Sequence, residues 1–141
     1  KKMSKSEDSD QSRINLKDDR DLIYQKIKKA KTDAGTIPLE AIELKNRPEA
    51  KNLISIYANL NNIKLENVLN EFGGQNFSTF KSKLSESIIE KICPIGQEIN
   101  KLLKDTTYLY KVLENGSKNA NLIAKDNLKE IYKIIGLTKH I

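Results

Sequence analysis

Hydrophobic residues recur every three or four positions along most of this chain, which is the spacing of an α-helix. The first such stretch follows Asp18 and Asp19, with acidic residues at its start and lysines at its end, as the helix dipole favours. Its inward positions are Leu22, Ile23, Ile27 and Ala30. We predict that residues 32–35 end this helix, because they combine turn-forming residues with a glycine.

The second and third helices are predicted on either side of residue 62. Pro48 is a good first helical residue, because the N–H that proline lacks is not needed at a helix start. Apolar positions then follow at Ala50, Leu53, Ile54, Tyr57 and Leu60. A shorter helix is predicted over residues 64–72, with Gly73-Gly74 as its stop. Its inward positions are Leu65, Val68, Leu69 and Phe72. Residues 36–47 show no sustained period and are expected to form an extended connector.

A longer apolar stripe runs through Leu84, Ile88, Ile92, Ile95, Ile99 and Leu102. It crosses Pro94, and proline inside a helix removes a hydrogen bond and bends the axis. We therefore predict one kinked helix or two abutting helices, with the stripe in the core. Asp105 or Thr106 should cap the next helix, which we expect to reach Gly116. These elements predict an all-α helical bundle.

The last helical stretch, residues 117–135, separates two kinds of side chain at about 100° per residue. Ala120, Ala124, Leu128, Ile131 and Ile135 form an apolar arc. Lys118, Lys125, Lys129 and Lys133 form a basic arc, joined by Lys111 if the helix continues back that far. A coherent basic face suits phosphates, but it is also typical of an ordinary solvated face. The pattern alone leaves both interpretations open.

Composition fits one modest domain: the chain has 141 residues, 38% hydrophobic content and a formal net charge of +6. A positive charge suits a polyanionic partner such as RNA. Almost all of it comes from lysine, however, and Lys, Ile and Asn share AT-rich codons, so the base composition of a genome could also produce it.

The single cysteine and single histidine limit the possible chemistry. Because Cys93 is the single cysteine, the chain cannot form an internal disulfide, and a reducing compartment is favoured. We expect the Cys93 side chain to be buried as a small hydrophobic group. His140 has no histidine or cysteine cluster around it, so no metal site is predicted.

No stretch approaches the roughly twenty apolar residues of a membrane span. We expect a cytoplasmic protein, with an organellar location left open because a targeting segment could precede this sequence.

The first residues carry the strongest candidate chemistry. Residues 2–6 read KMSKS, which places Lys2 and Lys5 three positions apart around Met3 and Ser4, with Ser6 following. Mobile ammonium groups and closely approaching backbone N–H groups suit a triphosphate. The rest of the stretch to Lys17 is expected to be loop, and its acidic run, residues 7–10, is interpreted as solvated linker.

The KMSKS segment resembles the signature loop of the class I aminoacyl-tRNA synthetases. The following segments resemble the tryptophanyl-tRNA synthetases within that family, and the resemblance covers nearly the whole chain. The matching segments are SRINL at residues 12–16, IKKAKTD at 27–33, NRP at 46–48, NLISIY at 52–57 and IIGL at 134–137.

This resemblance implies a two-step reaction, in which ATP and tryptophan give tryptophanyl-adenylate and the acyl group then passes to tRNA(Trp). It implies that Lys2 and Lys5 are catalytic on the β- and γ-phosphates. ATP would be bound by residues 2–6, with Mg²⁺ held through the ATP phosphates and no protein metal ligand. The tRNA-binding residues would be Lys111, Lys118, Lys125, Lys129 and Lys133.

The resemblance also implies a domain division. Residues 1–17 would be the KMSKS loop and linker at the tail end of a catalytic Rossmann domain, and residues 18–141 the helical anticodon-binding domain. We expect the chain to be the C-terminal piece of a longer, homodimeric enzyme and to be inactive alone, because no Gly-rich nucleotide turn or His-containing nucleotide motif is visible.

Alternatives from other classes are a stand-alone helical RNA-binding module and a helical protein-interaction domain without catalysis. Within the synthetases, the nearest alternative is the tyrosine enzyme, and the segments Asn46-Arg47-Pro48 and 52–57 argue against it. For Asn46 and Arg47 we favour a structural role in bracing the turn over a functional one.

Overall fold

A computed structural model describes residues 9–137 of the chain, and no strand occurs among them. The predicted all-α class is therefore confirmed. The described elements are a 3₁₀ turn at Asp10–Ser12, α1 (Arg20–Lys29), a 3₁₀ helix at Ala41–Asn46, α2 (Pro48–Leu60), α3 (Leu65–Phe72), α4 (Phe77–Lys104) and α5 (Thr106–Ile135). The chain divides into two compact units, one up to Ile99 and one from Asn100.

Helix α1 begins where the sequence predicts and ends earlier. Asp19 is its N-cap, because its Oδ1 accepts a hydrogen bond of 2.8 Å from the backbone N–H of Leu22. The helix stops at Lys29, and Ala30 already has an extended ψ of 134°. The predicted end at residues 32–35 was wrong by about one turn. Lys81 from α4 binds the carbonyl oxygen of Ala30, a long-range contact that local spacing does not show.

Helices α2 and α3 confirm their predicted bounds to within one residue. The connector before them is more structured than expected. Its backbone turns into the 3₁₀ helix Ala41–Asn46, where Glu40 and Glu43 cap each other reciprocally. Ile37 is 1% exposed and anchors the extended part. A 3₁₀ helix this short offers too few turns to produce a visible hydrophobic period.

The core lies in the first unit and is built around aromatic rings from three helices. Tyr57, Phe72 and Phe80 have ring centroids 5.1–5.6 Å apart, and the Phe72 ring meets the other two edge to face. Aliphatic side chains surround them, with Ile23, Ile54 and Val68 fully buried. Of the apolar positions predicted for α1 to α3, all except Leu22 are core or core-edge residues. The prediction was wrong for Leu22, which is only partly buried and lies outside the core cluster.

Helix α4 is one continuous helix across Pro94, which decides between the two predicted arrangements. Its stripe is core only in part, because Leu84 and Ile88 are buried whereas Ile95 is 45% exposed. Cys93, expected to be buried, is half-buried against the core. Beyond that point the buried residue is Gly96, where a Cβ atom would lie 2.6 Å from the carbonyl oxygen of Leu16. At this point α4 packs directly against the backbone of Leu16 instead of through a large side chain.

Helix α5 is also continuous, where the sequence predicted a stop at Gly116. Asp105 caps it by accepting a 2.9 Å bond from the N–H of Tyr108, and Gly136 ends it with a φ of 72° in the left-handed region. None of its residues is buried in the described chain. No helix among residues 9–137 combines the length and apolar character that crossing a membrane requires.

Candidate nucleotide and nucleic-acid sites

The KMSKS residues Lys2, Met3, Ser4, Lys5 and Ser6 lie outside the described residues, as does His140. The described chain begins at Ser9. Ser9 caps the 3₁₀ turn, because its Oγ accepts a bond of 3.4 Å from the N–H of Gln11. The N-cap of this turn therefore lies three residues after the end of the KMSKS segment.

A buried ion-pair network holds that turn against α1. The ammonium nitrogen of Lys26 lies 2.8 Å from Oδ2 of Asp10 and 2.6 Å from Oδ2 of Asp18. Asn15 donates side-chain hydrogen bonds to both carboxylates, and Arg13 pairs with the other oxygen of Asp10 at 2.6 Å. The Lys26 side chain is only 2% exposed. A buried charge is costly unless it is paired, so the Lys26 ammonium group can be buried only when these ion pairs form. We call it the Lys26 network.

The pKa values of the Lys26 network are shifted towards the charged forms. Hydrogen bonding from Lys26 is the main cause that lowers the pKa of Asp10. For Asp18, burial alone would raise the pKa, but the hydrogen bonds from Lys26 and Asn15 outweigh it and the pKa is lowered. Burial similarly opposes the charge of Lys26, yet the two carboxylates raise its pKa above 10.5. All three groups therefore stay charged at neutral pH.

Sequence reasoning missed the Lys26 network. It interpreted the acidic run ending at Asp10 as solvated linker and counted the lysines of α1 only as complements to the helix dipole. A signal was present, because Lys26 follows Ile23 by three positions and precedes Ile27 by one. A lysine on the buried stripe of a helix requires a carboxylate partner.

Arg47 braces the connector, as predicted. Its Nε donates to Asp33 at 2.8 Å, its Nη2 pairs with the other oxygen of the same carboxylate, and Nη2 also donates to the carbonyl oxygen of Thr36 at 2.8 Å. Its guanidinium lies 5.7 Å from the ring centroid of Phe77. Hydrogen bonding from Arg47 is the largest cause that lowers the pKa of Asp33. This bidentate pair explains why arginine stands at that position.

The predicted tRNA-binding lysines share one continuous helix. Because α5 runs unbroken from Thr106 to Ile135, Lys111 lies on the same face as the other four. The five span 22 positions, or about 33 Å at 1.5 Å per residue. All five are exposed: Lys111, Lys118, Lys125, Lys129 and Lys133. We call this face the α5 lysine stripe.

Carboxylates accompany part of the α5 lysine stripe. Lys118 lies 2.7 Å from Glu114, and Lys129 lies 3.4 Å from Asp126. Exposed pairs of this kind contribute only about 0.3–0.5 kcal/mol, so a phosphate can replace the carboxylate at little cost.

Over residues 9–137 no group of three or more His, Cys, Asp or Glu side chains could hold a metal ion.

Comparison with known proteins identifies the family. The family model described as tRNA synthetases class I (W and Y) matches residues 1–92. The chain belongs to the class I tRNA synthetases. The matched residues of this synthetase chain include the KMSKS segment and the whole Lys26 network.

Curated relatives of this class I synthetase extend the match through α5. The tryptophan--tRNA ligase of Agrobacterium fabrum is 49% identical over 139 residues, which is 99% of this chain and 39% of that protein. The tryptophan--tRNA ligase of Mesorhizobium japonicum is 48% identical over 137 residues, and that of Rickettsia felis is 45% identical over 136. The synthetase chain therefore spans about two fifths of the length of these relatives.

A solved structure shares the fold of the class I synthetase chain. The crystal structure of tryptophanyl-tRNA synthetase from Mycoplasma pneumoniae matches with a TM-score of 0.72 and 22% identity, over 98% of this chain and 41% of that one. At this level of identity the likeness concerns the fold, and it agrees with the predicted helical arrangement.

Proposed function

We propose that this chain is the C-terminal part of a tryptophan--tRNA ligase, an enzyme that activates tryptophan with ATP and transfers it to tRNA(Trp) for translation in the cytoplasm. The observation that carries the proposal is the 49% identity over 139 residues to the Agrobacterium fabrum tryptophan--tRNA ligase. The whole enzyme would be a homodimer, in which the portion beyond this chain supplies the tryptophan pocket.

The proposed role of the KMSKS loop is electrostatic. In the first step the tryptophan carboxylate attacks the α-phosphorus of ATP, and pyrophosphate leaves as the bond to the β-phosphate oxygen breaks. Lys2 and Lys5 would bind the β- and γ-phosphates and stabilise the negative charge that develops on this leaving group. The Ser4 and Ser6 hydroxyls and nearby backbone N–H groups would add hydrogen bonds. Mg²⁺ bound through the ATP phosphates would share their charge.

The proposed role of the helical part is to hold the tRNA. In the second step a hydroxyl of its terminal adenosine attacks the tryptophanyl carbonyl, and AMP leaves. The α5 lysine stripe would contact phosphates of the tRNA, which positions the nucleic acid without reading its sequence. Reading the anticodon needs polar groups that reach base edges, and Asn115 and Asn119 on the same helix are candidates.

The decisive experiment is Lys5→Ala in the full-length enzyme, with tryptophan-dependent exchange of pyrophosphate into ATP as the measurement. Loss of one preorganised charge should lower the rate by about 10²-fold or more. Lys1→Ala is the matched control, because it removes the same charge just outside the motif and should leave exchange nearly unchanged. An exchange rate close to that of the parent enzyme in Lys5→Ala would remove Lys5 from the mechanism.

A further inference from the structure

A cleft between α1 and the start of α4 has a chemistry that the proposed function does not use. Its volume is about 490 Å³, and all of its lining residues belong to the first compact unit. Two lysines line it, and no carboxylate does so in the described part of the chain. The side chains that matter are Tyr24, Lys28, Thr32, Ser78, Lys81 and Ser82. We call it the α1–α4 cleft.

Lys81 lies at the wall of the α1–α4 cleft, and no carboxylate of residues 9–137 forms an ion pair with it. Its ammonium group donates to the carbonyl oxygens of Ala30 at 2.6 Å and Lys28 at 3.4 Å, at the C-terminal end of α1. Burial lowers its pKa below the usual 10.5. An ammonium group has three N–H donors, so this pair of bonds leaves one for a ligand. An anion would restore the solvation that burial removes.

The hydroxyl groups complete a donor-rich lining. The oxygens of Tyr24 and Ser82 are 3.5 Å apart, and the Ser82 hydroxyl donates to the carbonyl oxygen of Ser78 at 3.2 Å. Both bonds are long for hydroxyl groups, so exchanging either for a bond to a ligand costs little. Ser78 also lies in the first turn of α4, where the helix dipole favours a negative group.

We propose that the α1–α4 cleft binds a phosphate group carried by RNA. The two lysines supply charge, the hydroxyl groups supply hydrogen bonds, and the absence of a lining carboxylate removes the usual competitor. The cleft is within the size range of small-ligand sites, which leaves room for the ribose and base beside the phosphate. The Tyr24 side chain is 42% exposed and offers an aromatic face for that base.

Only the identity of the ligand as RNA rests on the proposed function. The chemistry that recognises a phosphodiester would also recognise free phosphate or pyrophosphate, so the two sources are tested separately. Because Lys81 also binds the end of α1, its substitution tests folding as well as binding. Lys28 is exposed and Ser78 is at the surface, which makes Lys28→Gln and Ser78→Ala the better variants.

The experiment titrates the isotope-labelled 141-residue chain with a short single-stranded RNA and, separately, with inorganic pyrophosphate, while backbone amide shifts are followed. RNA should shift the amides at the start of α4. Lys28→Gln should weaken RNA binding about fivefold at low salt and reduce the slope of log K against log salt by about 0.7. The matched control is Lys29→Gln, which removes the same charge from the next position, outside the cleft lining.

Equal effects of Lys28→Gln and Lys29→Gln on the salt slope would overturn the proposal, as would RNA binding that leaves the α4 amides unmoved. If pyrophosphate shifted the amides and RNA did not, the assignment to RNA would be overturned, and the ligand of the cleft would be a free phosphate. Pyrophosphate exchange in the full-length enzyme tests the proposed function independently. Lys28→Gln should leave that exchange rate unchanged while raising KM for tRNA.

Discussion

The ammonium nitrogen of Lys26 lies 2.8 Å from Oδ2 of Asp10, a residue sixteen positions earlier in the chain. Asp10 in turn follows Ser6, the last residue of the KMSKS segment, by four positions. A buried charge on α1 therefore holds the chain at a point four residues after the proposed ATP-binding loop. The second carboxylate, Asp18, lies just before α1, and its Oδ2 is 2.6 Å from the same nitrogen.

Replacing the central lysine of this network should destabilise the fold strongly. Lys26→Met keeps the apolar stem but leaves the buried Asp18 and the partly exposed Asp10 without their cation. Removing one partner of a buried ion pair costs about 3–5 kcal/mol, so we expect a loss of about 3 kcal/mol in the free energy of unfolding. Urea denaturation followed by circular dichroism measures it.

Lys29→Met is the control for that substitution, because Lys29 is an exposed lysine of the same helix. It should change the free energy of unfolding by no more than about 0.5 kcal/mol. If the two variants lost similar unfolding free energy, the Lys26 network would contribute no more to stability than an exposed lysine of the same helix does.

The stability of the chain should fall in acid. The folded-state pKa values of Asp10, Asp18 and Asp33 are lowered from 3.8, so these groups bind protons more weakly in the folded chain than in the unfolded one. Their contribution is complete above about pH 5 and is lost as the pH falls through 3.8 towards their folded-state pKa values. Denaturation measured between pH 6 and pH 2.5 tests this.

In Lys26→Met the acid dependence should be smaller, because Asp10 and Asp18 no longer have the cation that holds their pKa values down. Lys29→Met should keep the parental curve. An unfolding free energy in the parent chain that rises as the pH falls below 4 would contradict the assignment of these shifts.

Two helical glycines should respond to alanine in opposite directions. At Gly96 the new Cβ atom would lie 2.6 Å from the carbonyl oxygen of Leu16, so Gly96→Ala should cost about 1–3 kcal/mol despite the better helix propensity of alanine. At Gly116 no heavy atom lies within 4 Å of the added Cβ, and Gly116→Ala should strengthen α5 by about 0.8–1 kcal/mol.

Thermal unfolding followed at 222 nm compares the two glycine variants directly. The expected result is a lower midpoint for Gly96→Ala and a higher helical signal for Gly116→Ala. A raised midpoint for Gly96→Ala would show that the backbone of Leu16 does not press on α4 in solution.

Neutralising part of the α5 lysine stripe should weaken tRNA binding and leave activation alone. In the full-length enzyme, Lys118→Gln with Lys125→Gln should raise KM for tRNA and reduce the salt slope by about 1.4, because each phosphate contact on a single strand contributes about 0.7. Pyrophosphate exchange should keep the parental rate. A parental salt slope would instead identify the stripe as a solvated face.

The control for the stripe is the pair Lys51→Gln and Lys64→Gln, which removes the same total charge from exposed positions of the first unit. This pair should change the salt slope less than the stripe variant does. The difference between the two variants separates contact with phosphate from the general attraction of a positively charged protein.

Much of the fold follows from the sequence because its signals are local. The stripes of α2 and α3, the start at Pro48 and the caps at Asp19 and Asp105 depend on residues three or four positions apart, which face each other within one helix. The KMSKS segment and the α5 lysine stripe could be recognised for the same reason. Their roles remain predictions.

The tertiary structure alone decided which distant groups meet. Lys26 and Asp10 are paired across sixteen positions, and Lys81 reaches the end of α1 across more than fifty. Spacing along the chain carries no information about such contacts, because they form only when segments far apart in the sequence pack together. The sequence by itself therefore determined most of the helices and the family resemblance. Packing of the segment before α1 against that helix created the buried ion pairs of Lys26, and packing of α4 against α1 created the early end of α1 and the α1–α4 cleft.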